Sequence, residues 1–253
     1  MIITGILLYN LCMEIQIAVA KTNKYDSLES GDTLETVERP NGGISVVLSD
    51  GQFSGREAKS ISSMVVRKAI SLLAEGVRDG AAARAASDFL FTEKFGQVSA
   101  YLNILSADIQ TGTIVITRNN PTPIFVVQRE RIECLTSDSP AIGKSRNVRP
   151  DISEIPLETG TTVVMYTDGL LKCGNDIGES LDIRTLLESL LEEQEPAPQE
   201  IADTILAEAI RLDQYRPNDD MSVVVLCVTA HETDQVRRMV VRLPVLGQKV
   251  SQQ

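Results

Sequence analysis

The sequence predicts an α+β fold in which antiparallel sheets carry helices on their outer faces. Three observations carry that expectation. Strands and paired helices come in alternating blocks, not as the βαβ units that build a doubly wound parallel sheet. The short apolar runs end in Gly, Pro, Asn or Asp, the residues of tight reversals. The chain has 253 residues, of which 43% are apolar, enough for a substantial core.

The first readable element is "MEIQIAVAK", where Ile15, Ile17 and Val19 alternate as in a half-buried strand. A polar stretch follows, then "DTLETVER", the turn signal "PNGG", and a returning strand over 44–49. This hairpin sets Asp32 and Asp50 at the outer ends of adjacent strands. Residues 55–75 place Ala58, Ile61, Val65, Ala69 and Leu72 at helical spacing, with Gly76 closing the helix. An alanine-rich helix is expected over 80–95. Strands are expected over 99–107, 113–117, 124–128, 131–135, 148–155 and 161–167, read as a meander. Helices over 183–193 and 198–214 are divided by "EPAP", and the last strand is 221–228. One domain is expected over 13–230, with 231–253 an extension: an added edge strand from Val236 to Val245, then a loose tail.

The net charge of −11 argues against a nucleic-acid partner, which needs a basic face. Cys12, Cys134, Cys173 and Cys227 lack the paired spacing of a zinc or redox site, so they read as reduced thiols of a cytoplasmic protein. Much of 2–20 is apolar, but Glu14 and Gln16 interrupt it and no basic residue precedes it. Neither a membrane span nor a signal peptide is expected. Met13 is an alternative start, with 1–12 an upstream extension.

Function is carried by acids at strand ends. "VVLSDGQFSG" delivers Asp50-Gly51, "VVMYTDGLL" delivers Asp168-Gly169, and "NDDMSVVVLCV" sets Asp219 and Asp220 just before a strand. Either Asp-Gly pair taken alone reads as turn chemistry. Three acidic strand ends brought to one rim instead suit magnesium or manganese, which prefer carboxylates and carbonyls. A glycine beside each ligand lets the backbone come close, so that its carbonyl can join the coordination sphere. Two such ions can share a water and aim it at phosphorus. Other chemistries lack their parts: the only histidine, His231, lies beyond the last strand, and there is no P-loop, no GxGxxG and no CxxxxxR signature.

The ordered set Gly31-Asp32, Asp50-Gly51, Asp168-Gly169 and Asp219-Asp220, with "SDG...SG" opening a helix and "YTDGL" ending a strand, resembles the metal-dependent (PPM) serine/threonine protein phosphatases. It is most similar to their bacterial SpoIIE-like branch of stand-alone sigma-factor regulators, over residues 15–228. The resemblance implies an αββα sandwich with two Mn2+ or Mg2+ ions between the sheets. Asp50 would bridge both ions, the Gly51 carbonyl would bind one, and Asp168 with Asp219 or Asp220 the other. Asp32 would stand close to the ions and contact them through water. Asp50, Asp168 and Asp219 would then act through a water activated by the ions. The implied substrate is phosphoserine or phosphothreonine on a protein, in this branch a STAS-type anti-anti-sigma factor, and the helices over 55–95 would be a regulatory switch.

Two departures bear on activity. Phe53 stands where the family's DGMGxG pattern has glycine, and "NNPTP", residues 119–123, lacks the family's histidine. A second reading follows from Phe53: a weak or inactive relative that binds its partner without turnover.

Overall fold

The computed structural model describes residues 12–129, 131–193, 196–231 and 236–244. In chain order the elements are β1 (Cys12–Thr22), β2 (Asp32–Glu38), β3 (Ile44–Gly51), α1 (Gly55–Ala74), α2 (Asp79–Lys94), β4 (Ala100–Asp108), β5 (Thr113–Asn119) and β6 (Ile124–Gln128). They continue with β7 (Arg131–Leu135), β8 (Asp151–Pro156), β9 (Thr162–Tyr166), α3 (Gly169–Lys172), α4 (Ile183–Glu193), α5 (Pro198–Leu212) and β10 (Met221–His231).

The strands form two five-stranded antiparallel sheets, in the orders β1-β10-β9-β6-β7 and β2-β3-β4-β5-β8. Strands covered on both faces read as unbroken apolar runs, and their alternation shows how the layers are assigned. In β3, Val46 and Leu48 point between the sheets and Val47 points to α1 and α2. In β9, Val163 and Met165 point between the sheets, while Val164 and Tyr166 pack under α4 and α5. The layers are therefore helices, sheet, sheet, helices.

α1 buries Ala58, Ile61, Val65, Val66, Ala69 and Leu73, the i, i+3, i+4 stripe that a helix lays on a sheet. Leu73, not Leu72, closes that stripe, because Leu72 is only partly buried. A buried ion pair holds the helix pair to the sheet: Arg39 Nη1 donates to Asp79 Oδ1 at 2.6 Å, and Ser106 Oγ donates to the same oxygen at 2.9 Å.

Several expectations are corrected. The run from β4 to β9 is not one meander: β4 and β5 pair in one sheet, β6 and β7 in the other, and β8 returns to β5 while β9 joins β6. Pro121 and Pro123 sit at the first crossover, where the chain leaves one sheet for the other. β8 begins at Asp151, and Val148 is buried ahead of it without being in the strand. The expected edge strand from Val236 does not form over 236–244, whose Met239, Val240, Val241 and Leu243 are exposed. β10 itself has β1 and β9 on its two sides and offers no edge, and 236–244 makes no ladder with the edge strands β1 or β2 either. Arg237 instead pairs with Glu38 of β2 at 2.6 Å. Val245 and the tail after it lie outside the described residues, as do residues 1–11 of the expected extension. Among the described residues no helix is long and apolar enough to cross a membrane. Cys173 and Cys227 are buried free thiols and Cys134 is a partly buried one.

Candidate metal centre

The hairpin register places Asp32 directly opposite Asp50, at the same rim of one sheet. Asp32 is fully buried, and the other sheet grips it: Thr167 Oγ1 and Ser222 Oγ both donate to its Oδ2, at 3.0 and 2.6 Å. Its Oδ1 is buried with no hydrogen-bond partner. Lys21 Nζ and Lys59 Nζ both donate to the Asp32 main-chain oxygen, at 2.6 and 2.9 Å. Gly51 is required by close approach: a Cβ there would collide with the Ala58 carbonyl of α1.

The second sheet brings Asp168, just after β9, beside Asp219, just before β10, because the two strands are antiparallel neighbours. Gly169 follows for a similar reason, since a Cβ would collide with the Asp220 carbonyl. Between the two acids lies Lys172, whose Nζ is 2.8 Å from Asp168 Oδ2 and 2.7 Å from Asp219 Oδ2. Asp220 is directed elsewhere. Its Oδ1 accepts the Lys24 amide at 2.9 Å and its Oδ2 the Gly31 amide at 2.7 Å, so both oxygens hold the approach to β2. Asp213 does similar work, accepting the amides of Gly174 and Asn218 at 2.9 and 2.8 Å.

The electrostatics show that Asp32, Asp50, Asp168 and Asp219 converge. Burial, then the charges of Asp32 and Asp168, a hydrogen bond shared with Asp168, and the charge of Asp219 push the Asp50 carboxyl up to about 9. Burial pushes Asp32 up to about 6, against the hydroxyls of Ser222 and Thr167 and the charge of Lys21. Burial works against the Lys172 ammonium, yet its bonds to Asp168 and Asp219 outweigh it and hold the lysine charged.

Among the described residues no three acidic, histidine or cysteine side chains stand ready as a cation cage. The Lys172 ammonium already bridges Asp168 and Asp219. The donor chemistry nevertheless fits hard divalent cations: carboxylates from both sheets, an uncompensated Asp50, and a buried Asp32 oxygen with nothing to bind. Of the acids singled out in the sequence, Asp32, Asp50, Asp168 and Asp219 come together, whereas Asp220 lies alongside with its oxygens spent on amides.

Sequence reasoning missed Lys172, Thr167, Ser222, Lys21 and Lys59. For Lys172 the signal was its place four residues after Asp168, which faces it on a single helical turn. Phe53 stands at φ +82°, a left-handed conformation that suits glycine, and the residue is 56% exposed beside Asp50-Gly51. Gln52 pins this loop, its Oε1 accepting the Ser99 amide and hydroxyl at 2.9 and 3.0 Å. Arg56 is 90% exposed, 3.8 Å from Glu29. Residues 119–123 form the crossover between β5 and β6, with Asn119, Asn120 and Thr122 buried. The side chain of His231 lies outside the described residues.

The chain is similar to known proteins in sequence and in fold. The chain is 23% identical over 211 residues to the stage II sporulation protein E of Priestia megaterium, covering 83% of this chain and 36% of that protein. It thus spans about a third of that relative's length. It superposes with TM-score 0.72 and 22% identity on the PP2C phosphatase domain, with a fragment of the regulatory domain, of the cell fate determinant SpoIIE from Bacillus subtilis, covering 87% of this chain and 65% of that one. It also superposes with TM-score 0.67 and 16% identity on the catalytic domain of the serine/threonine protein phosphatase PstP in complex with two manganese ions, covering 86% of this chain and 100% of that one. The fold is that of the PP2C-like phosphatases. The family model described as stage II sporulation protein E (SpoIIE) matches residues 40–229, well over half of the sequence, and the chain belongs to that family.

Proposed function

We propose that this chain is a metal-dependent protein phosphatase that hydrolyses phosphoserine or phosphothreonine on a protein substrate, a STAS-type anti-anti-sigma factor. The observation that carries the reading is the convergence of Asp50 with Asp32, Asp168 and Asp219, drawn from two sheets to one rim. Family membership supports the same reading. The catalytic unit spans residues 13–230.

Asp50, the Gly51 carbonyl, Asp168 and Asp219 would hold two divalent ions, Mn2+ or Mg2+, with Asp32 behind them. Such ions supply a lowered water pKa and Lewis acidity at phosphorus. The protein's own part is positioning. Thr167 and Ser222 orient Asp32 across the gap between the sheets, so the two rims are locked to one another. We assign Asp219, not Asp220, to the centre, because Asp220 spends both oxygens on backbone amides. Phosphate release from a phosphorylated STAS protein should require manganese or magnesium. Asp168→Asn should lower it by about a thousandfold, equivalent to about 4 kcal/mol of transition-state stabilisation. Full activity in a chelator, or in the variant, would refute the reading.

Phe53 favours a second reading, in which the chain binds its partner with little turnover. Its left-handed backbone and exposed position alter the loop that follows Asp50. Partner binding without metal-dependent phosphate release would select it.

A further inference from the structure

The two sides of the acid cluster differ in what balances them. The strongest charges acting on Asp50 are those of Asp32, which faces it across the hairpin, Asp168 and Asp219, all of its own sign. Asp168 and Asp219, in contrast, share the Lys172 ammonium at 2.8 and 2.7 Å. Asp168 caps α3 and Lys172 ends it, so one helical turn carries both the acid and its partner. The lysine side chain is 50% exposed, while Asp168 and Asp219 are 20% and 31% exposed. A flexible four-carbon stem at such a position can swing the ammonium into water without disturbing the core.

We propose that Lys172 is an internal competitor for the outer divalent ion: it holds Asp168 and Asp219 together when that ion is absent and moves into solvent when the ion binds between them. The inference rests on the reading of the centre as a two-ion site. An ammonium and a divalent cation cannot share the same two carboxylate oxygens at contact distance, so binding one means releasing the other. The lysine thereby sets the affinity of the weaker ion. At the inner position, backed by Asp32 and Asp50, the Lys21 and Lys59 ammonium groups bond the Asp32 main-chain oxygen and not its carboxylate. Among the described residues no ammonium has to leave a carboxylate there, so this position fills first. Lys172 is therefore an affinity-determining residue, separate from the acids that hold the ions.

The test uses the metal-stripped chain and Mn2+ alone, with free Mn2+ followed by electron paramagnetic resonance and thermal stability measured at each concentration. Wild type should bind two Mn2+ ions of unequal affinity. Lys172→Met should tighten the weaker ion by about tenfold, as expected for removing one positive charge from a partly exposed site, and should enlarge the rise in Tm on adding Mn2+. Lys172→Arg, which keeps the charge, should stay near wild type. If Lys172→Met does not fold, Lys172→Gln makes the same comparison. Two Mn2+ ions bound to wild type, with the weaker affinity unchanged or reduced in the neutral variant, would overturn the inference and leave the two-ion reading standing. Equal tightening by Lys172→Arg would overturn it as well. No Mn2+ bound to wild type would remove the two-ion reading itself, and the inference with it.

Discussion

Two acids held against the same sheet face opposite electrostatic situations. Asp79, at the start of α2, is met by the Arg39 guanidinium at 2.6 Å and by the Ser106 hydroxyl. Asp50, at the end of β3, is met by other acids, and its carboxyl is driven up to about 9. At Asp79 the chain supplies a cation, because an unpaired buried charge is costly. At Asp50 it supplies none, and the proposed metal ions would provide the missing positive charge. The Asp168 and Asp219 pair is intermediate, partly exposed and balanced by Lys172.

That comparison can be broken by replacing one charged residue at a time in the metal-free protein. Arg39→Met should have the largest effect, destabilising by about 3 kcal/mol by stranding Asp79 as a buried charge. Asp50→Asn should do the reverse. The Asp50 carboxyl is raised from 3.8 to about 9, so its favourable contribution is complete below about 4 and is lost as pH rises toward 9. Replacing it should therefore stabilise the metal-free fold at pH 8 and change it by almost nothing at pH 4. Urea unfolding at the two pH values checks both size and sign, and a destabilised variant at pH 8 would break the comparison.

Asp220→Ala should cost about 2 kcal/mol, since it strands the Lys24 and Gly31 amides. Its Mn2+ affinity should change less than that of Asp219→Asn, which calorimetric titration would show. Phe53→Gly should stabilise by about 1 kcal/mol by relieving the left-handed backbone. A rise in phosphate release in that variant would favour the reading in which Phe53 suppresses turnover.

Much of this was legible in the sequence. Apolar runs that stop at Asp-Gly marked β3 and β9, and the "PNGG" turn fixed the register that sets Asp32 opposite Asp50. The distribution of strands between the two sheets was not legible, because β4 to β9 are all short and locally alike. Only the crossover at 119–123 separates β5 from β6. The four-residue helix α3 was too short to leave a periodic signal, and Lys172 was missed with it. Neither Asp219 nor Asp220 could be preferred from adjacent identical residues. Their difference depends on the amides of Lys24 and Gly31, nearly 200 residues away along the chain. The tail over 236–244 was expected as an edge strand, yet it forms no ladder although β1 and β2 are edge strands, and its contact with β2 is the Arg237–Glu38 ion pair.

The most direct test is anomalous diffraction at the manganese edge from crystals soaked in Mn2+. Two peaks about 3.5 to 4 Å apart, ligated by Asp50 and shared among Gly51, Asp168 and Asp219, with the Lys172 ammonium displaced into solvent, are the expected result. Crystals that show no manganese between the two rims at saturating concentration, with Lys172 still seated on Asp168 and Asp219, would contradict it.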